Sequence, residues 1–279
     1  FMSVNKKFLI VTIVALVLCL FSAFEMASAN QEVDLFLKKG GPQAILKHIP
    51  YTIYLDKDLV LWGRPKLSKE ELNQAEILAT TLQRSNLNAS EKGKLGLLLV
   101  VLNKEEIALK ILHEAYSQGC KENSVLETLL YLTCKYDDWE ILAQLEKEWQ
   151  NRGFPAQPLY YALGADELNG GYLFEGENYI NQALRLGKHG PSFLVLAVLN
   201  MERQGLMAAR DYITGALECD PTEALVQYFA GLYWAMMGQA SEAYRYFKNI
   251  PAPADLPGAY YLPYLHNLTE CSPDRKSVV

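Results

Sequence analysis

The chain has 279 residues, half of them hydrophobic and 21% charged, so it can bury a sizeable core and is too apolar to be a disordered tract. Its formal charge of −6 comes without any block of Lys and Arg, which argues against the concentrated basic face that nucleic acid requires. His48, His113, His189 and His266 lie far apart with no Cys or carboxylate at ligand spacing, so no metal and no cofactor is expected.

Residues 1–29 read as a targeting segment. Phe1 precedes Met2, the expected start. Lys6 and Lys7 then lead into an apolar run from Phe8 to Phe24, and Ala27-Ser28-Ala29 offers a small-x-small cleavage site before Asn30. The run suits either a long signal peptide or a short uncleaved anchor. Both readings export the remainder to the periplasm or cell envelope, and membrane contact is expected only through an uncleaved segment. Cys19 follows Leu18 rather than the small residue of a lipoprotein signal. Beyond it, Cys120, Cys134, Cys219 and Cys271 form no CxxC, and Cys134 sits inside an apolar helical run. Export permits disulfides, with three connectivities. The expectation is free, buried thiols, since Cys packs as a small hydrophobe.

Residues 30–67 read as an irregular N-terminal cap. Short helical turns at 33–39 and 43–48 are separated by Gly40-Gly41-Pro42. Tyr51–Leu55 and Leu59–Trp62 then flank the polar Asp56-Lys57-Asp58, which predicts a small β-hairpin covering the open end of the first helical layer.

From Ser68 to about residue 268 the chain reads as helices joined by short polar turns, with no room for a sheet. Ser68 and Glu71 form a capping box ahead of Leu72, Ala75, Ile77, Leu78 and Leu82. Further helices are expected from Ser90, over 104–118, over 123–135, and over 139–151 with Asp138 as its N-cap. Two more cover 159–169 and 172–186, joined by a turn at Gly170-Gly171. Between Gly190 and Asp255 one pattern then occurs twice, 34 residues apart and without a gap: Ala197, Ala209, Ile213 and Ala216 correspond to Gly231, Ala243, Phe247 and Ile250.

Small residues recur where two helices of a hairpin must cross closely. Gly96 pairs with Ala108, Gly164 with Gly176, Ala197 with Ala209 and Gly231 with Ala243, always twelve residues apart. Ala115, Ala183, Ala216 and Ile250 follow seven positions later. The arrangement resembles the tetratricopeptide repeat (TPR). Ala197, Ala209, Ile213, Ala216 and Pro221 match its pattern fully, and Gly231, Trp234, Ala243 and Phe247 match well. The resemblance covers residues 89 to about 268. It departs from the family at Gly176, which stands where helix B has Ala, and across Leu126–Trp149, where only length and hydrophobicity place a hairpin. The alternative is an irregular helical bundle with coincidental spacing.

The resemblance implies an all-α fold, a right-handed α-α superhelix of about five helical hairpins over residues 68–268. It also implies that helix A residues line a concave groove that holds peptides or helices. By position the groove residues are Tyr161, Leu168, Leu194, Val198, Met201, Tyr228, Leu232 and Met236. None is Lys or Arg, which favours an apolar or amphipathic protein segment over a charged tail.

No GxSxG, HExxH or GxxxxGK[ST] occurs, so no catalytic residue is assigned and the chain is not expected to be an enzyme. The expected function is a non-catalytic protein-interaction scaffold of the bacterial cell envelope. The alternative is the N-terminal arm of a longer envelope protein, such as a polysaccharide exporter or an envelope enzyme. That alternative draws on residues 269–279, a tail whose last six residues, Asp274 to Val279, resemble a sequencing scar.

Overall fold

The computed structural model describes residues 28–54, 64–84, 86–203 and 205–250, and among them every regular element is helical. Residues 28–37 form α1, followed by α2 (Gly40–His48) and a single 3-10 turn (Ile49–Thr52). Then come α3 (Lys69–Gln83), α4 (Ala89–Val101), α5 (Glu105–Ser117), α6 (Asn123–Lys135) and α7 (Trp139–Trp149). The rest are α8 (Ala156–Asn169), α9 (Leu173–Arg185), α10 (Gly190–Glu202), α11 (Leu206–Cys219), α12 (Ala224–Met236) and α13 (Ala240–Phe247). Pairing them as α4/α5, α8/α9, α10/α11 and α12/α13 gives the expected hairpins. The targeting segment and the tail from residue 251 lie outside the described residues.

The chain folds as two compact units. One comprises Phe1–Leu46 with Lys66–Leu126, the other Lys47–Pro65 with Glu127–Val279. In the first unit, the Ser68–Glu71 capping box forms as expected: the Glu71 N–H donates to Ser68 Oγ (3.2 Å), and Glu71 Oε2 accepts from the Ser68 N–H (2.9 Å). Hydrogen bonds to its carboxylate from the Ser68 backbone and side chain, then one from the Gly41 backbone, hold the Glu71 carboxyl below its usual range. The predicted break at Gly40-Gly41-Pro42 is instead the first turn of α2. Helix α4 starts one residue before the predicted Ser90, because Asn88 and Glu91 form a second capping box. His113 is half-buried, and its Nε2 lacks a hydrogen-bond partner among the described residues.

Glycine marks the hairpin crossings. A Cβ on Gly96 would meet Leu112 Cδ2 at 2.5 Å, and one on Gly231 would meet Phe247 Cε1 at 2.7 Å. At Gly164 and Gly176 the backbones themselves meet: each added Cβ would lie 3.0 or 2.9 Å from the other's carbonyl oxygen. Leu112, Ile180 and Phe247 each stand sixteen residues after the glycine they cover, and Ile213 stands sixteen after Ala197. The small residues at one level therefore create the slot that a large helix B residue fills.

The turns between helices A and B repeat as faithfully as the crossings. The N–H groups of Lys104, Asp138, Tyr172, Gly205 and Gln239 each donate to the carbonyl five residues back, at 2.7–3.0 Å. This is the Schellman closure of a helix end. Asn103 (φ 59°), Asp137 (φ 54°) and Gly171 (φ 84°) hold the left-handed position at strict 34-residue intervals. Asn, Asp and Gly are the residues that enter this region most readily. Asp138 caps α7 as expected, accepting from the Ile141 N–H at 3.3 Å. Cys120 and Cys134 are free and buried, and Cys219 is free and half-buried. No helix among the described residues is long and apolar enough to cross a membrane.

Candidate functional site

The second unit contains the helix A faces of α8, α10 and α12, and a segment of the chain itself lies against them. The end of α2 and the 3-10 turn after it, residues 47–54, form a strap. Pro50 fixes the start of the 3-10 turn, and Thr52 Oγ1 donates back to the Ile49 carbonyl at 2.7 Å. His48, Ile49, Tyr51, Thr52 and Ile53 are all buried. A β-hairpin strand was expected over Tyr51–Leu55. The structure gives a turn for Tyr51 and Thr52 and a bend at Ile53 and Tyr54, while 55–63 lie outside the described residues. An aromatic and β-branched run reads as a strand from composition, but this one is buried against helices, with no strand beside it among the described residues.

Helices α8, α10 and α12 hold the strap through polar groups at their ends and apolar groups along their faces. Tyr161 Oη in α8 donates to the Pro50 carbonyl, and Asn169 Nδ2 at the end of α8 donates to the Ile53 carbonyl at 2.9 Å. Before α12, Glu223 Oε1 pairs with His48 Nδ1 at 2.8 Å and also accepts from the Leu225 N–H at 3.2 Å, capping the helix. Tyr51 Oη donates to Asp220 Oδ2. The Tyr51 ring enters a core cluster with Leu194, Val198, Met201 and Phe229, and Tyr54 packs at its edge.

Burial shifts the titration of three groups around the strap, Tyr51, Tyr161 and His189. Burial first, then the hydrogen bond to Asp220, raises the Tyr51 phenol above its ordinary value, so it stays a donor. Burial does the same for Tyr161, whose ring meets His189 edge-on at 4.9 Å and Tyr131 at 6.0 Å. His189 is pulled down to about 4 by burial, against a smaller opposing pull from Asp220, and is neutral near pH 7. Its Nδ1 lies 2.8 Å from Ser192 Oγ at the start of α10. Tyr, His and carboxylate meet here: His48, Tyr51 and Tyr161 are buried, Asp220, Glu223 and His189 are half-buried, and they largely satisfy one another. His48 is 1% exposed, and only its Nε2 lacks a partner.

The eight groove residues expected from the repeat pattern fall into three sets. Leu194, Val198 and Met201 are buried beneath Tyr51, and Tyr161 is buried beneath the Pro50 carbonyl. Leu168 lies within the α8–α9 crossing instead, where its Cγ is 2.5 Å from the position a Gly176 Cβ would take. Tyr228 and Leu232 are half-buried at the margin of the strap's cluster, and Met236, one turn further along α12, is 48% exposed. The sequence reading missed the strap's polar partners Asn169, Asp220 and Glu223, along with Gly190, whose missing side chain makes room for the Tyr51–Asp220 pair. His48 lies 175 residues from Glu223, and Tyr51 169 from Asp220, so no local spacing could announce them.

No protein-family model and no curated relative matches the sequence. Among solved structures the chain is similar to PilW, described as a widely conserved type IV pilus biogenesis factor, with a TM-score of 0.50 and 17% identity over 70% of this chain and 91% of that one. At that identity the likeness concerns architecture: the chain has a TPR-like fold of consecutive helical hairpins.

Proposed function

We propose that the protein is a non-catalytic interaction scaffold of the bacterial cell envelope, which holds a segment of a partner protein against its helix A faces. The observation that carries this reading is the strap. The faces of α8, α10 and α12 hold a short stretch of peptide, a 3-10 turn, by burying a Tyr side chain and donating to two backbone carbonyls. This combination of main-chain hydrogen bonds and side-chain pockets is how peptide-recognition surfaces obtain affinity and specificity. The strap takes up Tyr161, Leu194, Val198 and Met201, which leaves Tyr228, Leu232 and Met236 as the surface for an incoming apolar or amphipathic segment. Tyr and Met suit that role, the first as a rigid amphipathic anchor and the second as an adaptable one. The fold likeness to a pilus biogenesis factor makes envelope assembly proteins the first partners to assay.

The test compares wild type with Tyr228→Ala/Met236→Ala in pull-downs from envelope extract. Loss of one discrete partner from the variant, with an unchanged melting curve, supports the groove. Identical recovery by the two proteins retires it.

A further inference from the structure

Exposed apolar side chains in the second unit are not scattered. Trp139 is 67% exposed, Tyr172 62%, Phe174 79% and Met207 75%. All four lie at the N-cap or first two residues of α7, α9 or α11, next to the turn between helices A and B. With the exception of Leu186, every large exposed hydrophobic side chain of this unit lies at or beside such a turn, among the described residues. Consecutive helices alternate in direction, so these turns share one end of the array and Leu186 lies at the other. Isolated exposed apolar residues need no explanation, but a row in register with the repeat does.

The same end is acidic. Asp137 occupies the α6–α7 turn, while Asp166 and Glu167 stand in the last turn of α8. Burial, then Asp137 and Glu167, raises the Asp166 carboxyl above its usual range. None of the three has a salt-bridge partner among the described residues. Glu140 and Glu175, exposed beside Trp139 and Phe174, add to the same charge. Such a rim disfavours an anionic lipid surface, which attracts basic residues. It matches a cationic partner, because complementary potentials both steer and specify association.

We propose that this edge docks a basic amphipathic helix of a partner protein, separately from the concave face. A helix laid along this edge presents its apolar face to Trp139, Phe174 and Met207 and its lysines to the carboxylates.

The probe is a Trp-free synthetic helix of about 18 residues with Leu at heptad positions and Lys elsewhere. Binding is followed by calorimetry for every variant and, in proteins that keep Trp139, by the blue shift that this exposed one of the four tryptophans adds to the emission. The wild type binds and weakens with added salt. Trp139→Ser/Phe174→Ser lowers affinity at least about tenfold, as loss of central aromatic anchors does. Asp137→Asn/Glu167→Gln lowers it less and flattens the salt dependence, whereas Leu186→Ser and the groove variant Tyr228→Ala leave it unchanged. These substitutions fall on exposed or half-buried side chains, and unchanged thermal melts establish that each variant folds. Failure of the wild type to bind, equal binding by Trp139→Ser/Phe174→Ser, or loss in the groove variant instead overturns the proposal. So does binding of the wild type to phosphatidylcholine or phosphatidylglycerol vesicles that the Trp139→Ser/Phe174→Ser variant loses, since the edge would then be a lipid surface.

Discussion

The Tyr51 hydroxyl donates to the Asp220 carboxylate across 169 residues, and the approach is possible because residue 190 is glycine. A Cβ at Gly190 would lie far inside van der Waals contact with Tyr51 Oη and 2.7 Å from Asp220 Oδ2. A local feature of α10, its opening Gly190-Pro191, thereby sets how the strap sits on three helices. Gly190→Ala is expected to push Tyr51 out of its place and to destabilise the protein by about 1–3 kcal/mol, as overpacking does. Tyr51→Phe leaves the Asp220 carboxylate without its donor and costs a similar amount, about 1–3 kcal/mol. Urea unfolding curves measure each variant. If Gly190→Ala matched wild type, the close contact would not be a constraint.

The hairpin crossings yield a sharper contrast between two glycines. Gly164→Ala sets a methyl against Ile180 and 3.0 Å from the Gly176 carbonyl, where backbone must move. It is expected to cost about 1–3 kcal/mol. Gly40 opens α2 with nothing within 4 Å of its would-be Cβ. Gly40→Ala should be neutral or stabilising by a few tenths of a kcal/mol, up to about 1, through helix propensity and the unfolded chain. Thermal melts that ranked the two variants the other way round would reject the crossing argument.

These glycines were legible because a hairpin crossing is a local matter: the pair lies twelve residues apart, and the side chain that fills the slot lies sixteen after the first. The capping box at Ser68 and the N-cap at Asp138 were legible for the same reason. What stayed hidden was non-local. Tyr51-Thr-Ile-Tyr54 has the composition of a strand, and only its burial against α10 and α12 makes it a strap. Five of the eight predicted groove residues are therefore buried by the chain itself or within a hairpin. The weakest repeat did carry a readable mark, since Asn103, Asp137 and Gly171 keep the left-handed turn position 34 residues apart where the helices between them keep little else.

That turn position supports a prediction of its own. Asn103 adopts φ 59°, which Asn tolerates and Gly enters without steric cost. Asn103→Gly should raise stability by a few tenths of a kcal/mol, and Asn103→Ala should lower it by about 1 kcal/mol, the price of a Cβ in the left-handed region. Neither change touches the core, so chemical denaturation should show a shifted midpoint with an unchanged slope. Equal midpoints for Gly and Ala at this position would mean that the turn does not impose its conformation.

Acid should loosen the strap's surroundings through His189. Burial lowers its folded-state value from 6.5 to about 4, so folding favours the neutral ring. Above pH 6.5 the ring is neutral whether the chain is folded or unfolded, and the stability it permits is fully present. Between pH 6.5 and about 4 the unfolded chain takes up a proton that the folded chain refuses, so stability falls as the pH falls. The loss reaches at most about 3 kcal/mol once the pH is below both values. Burial moves Glu127 and Asp166 upward, which works in the opposite direction as they protonate. The informative quantity is therefore the difference between wild type and His189→Phe, which keeps a ring against Tyr161 and removes the titration. From pH 7 to pH 4.5 the wild type should lose more stability than the variant by about 2 kcal/mol, measured by urea unfolding at each pH. Parallel pH profiles for the two proteins would show that His189 protonates as readily in the folded chain as in the unfolded one.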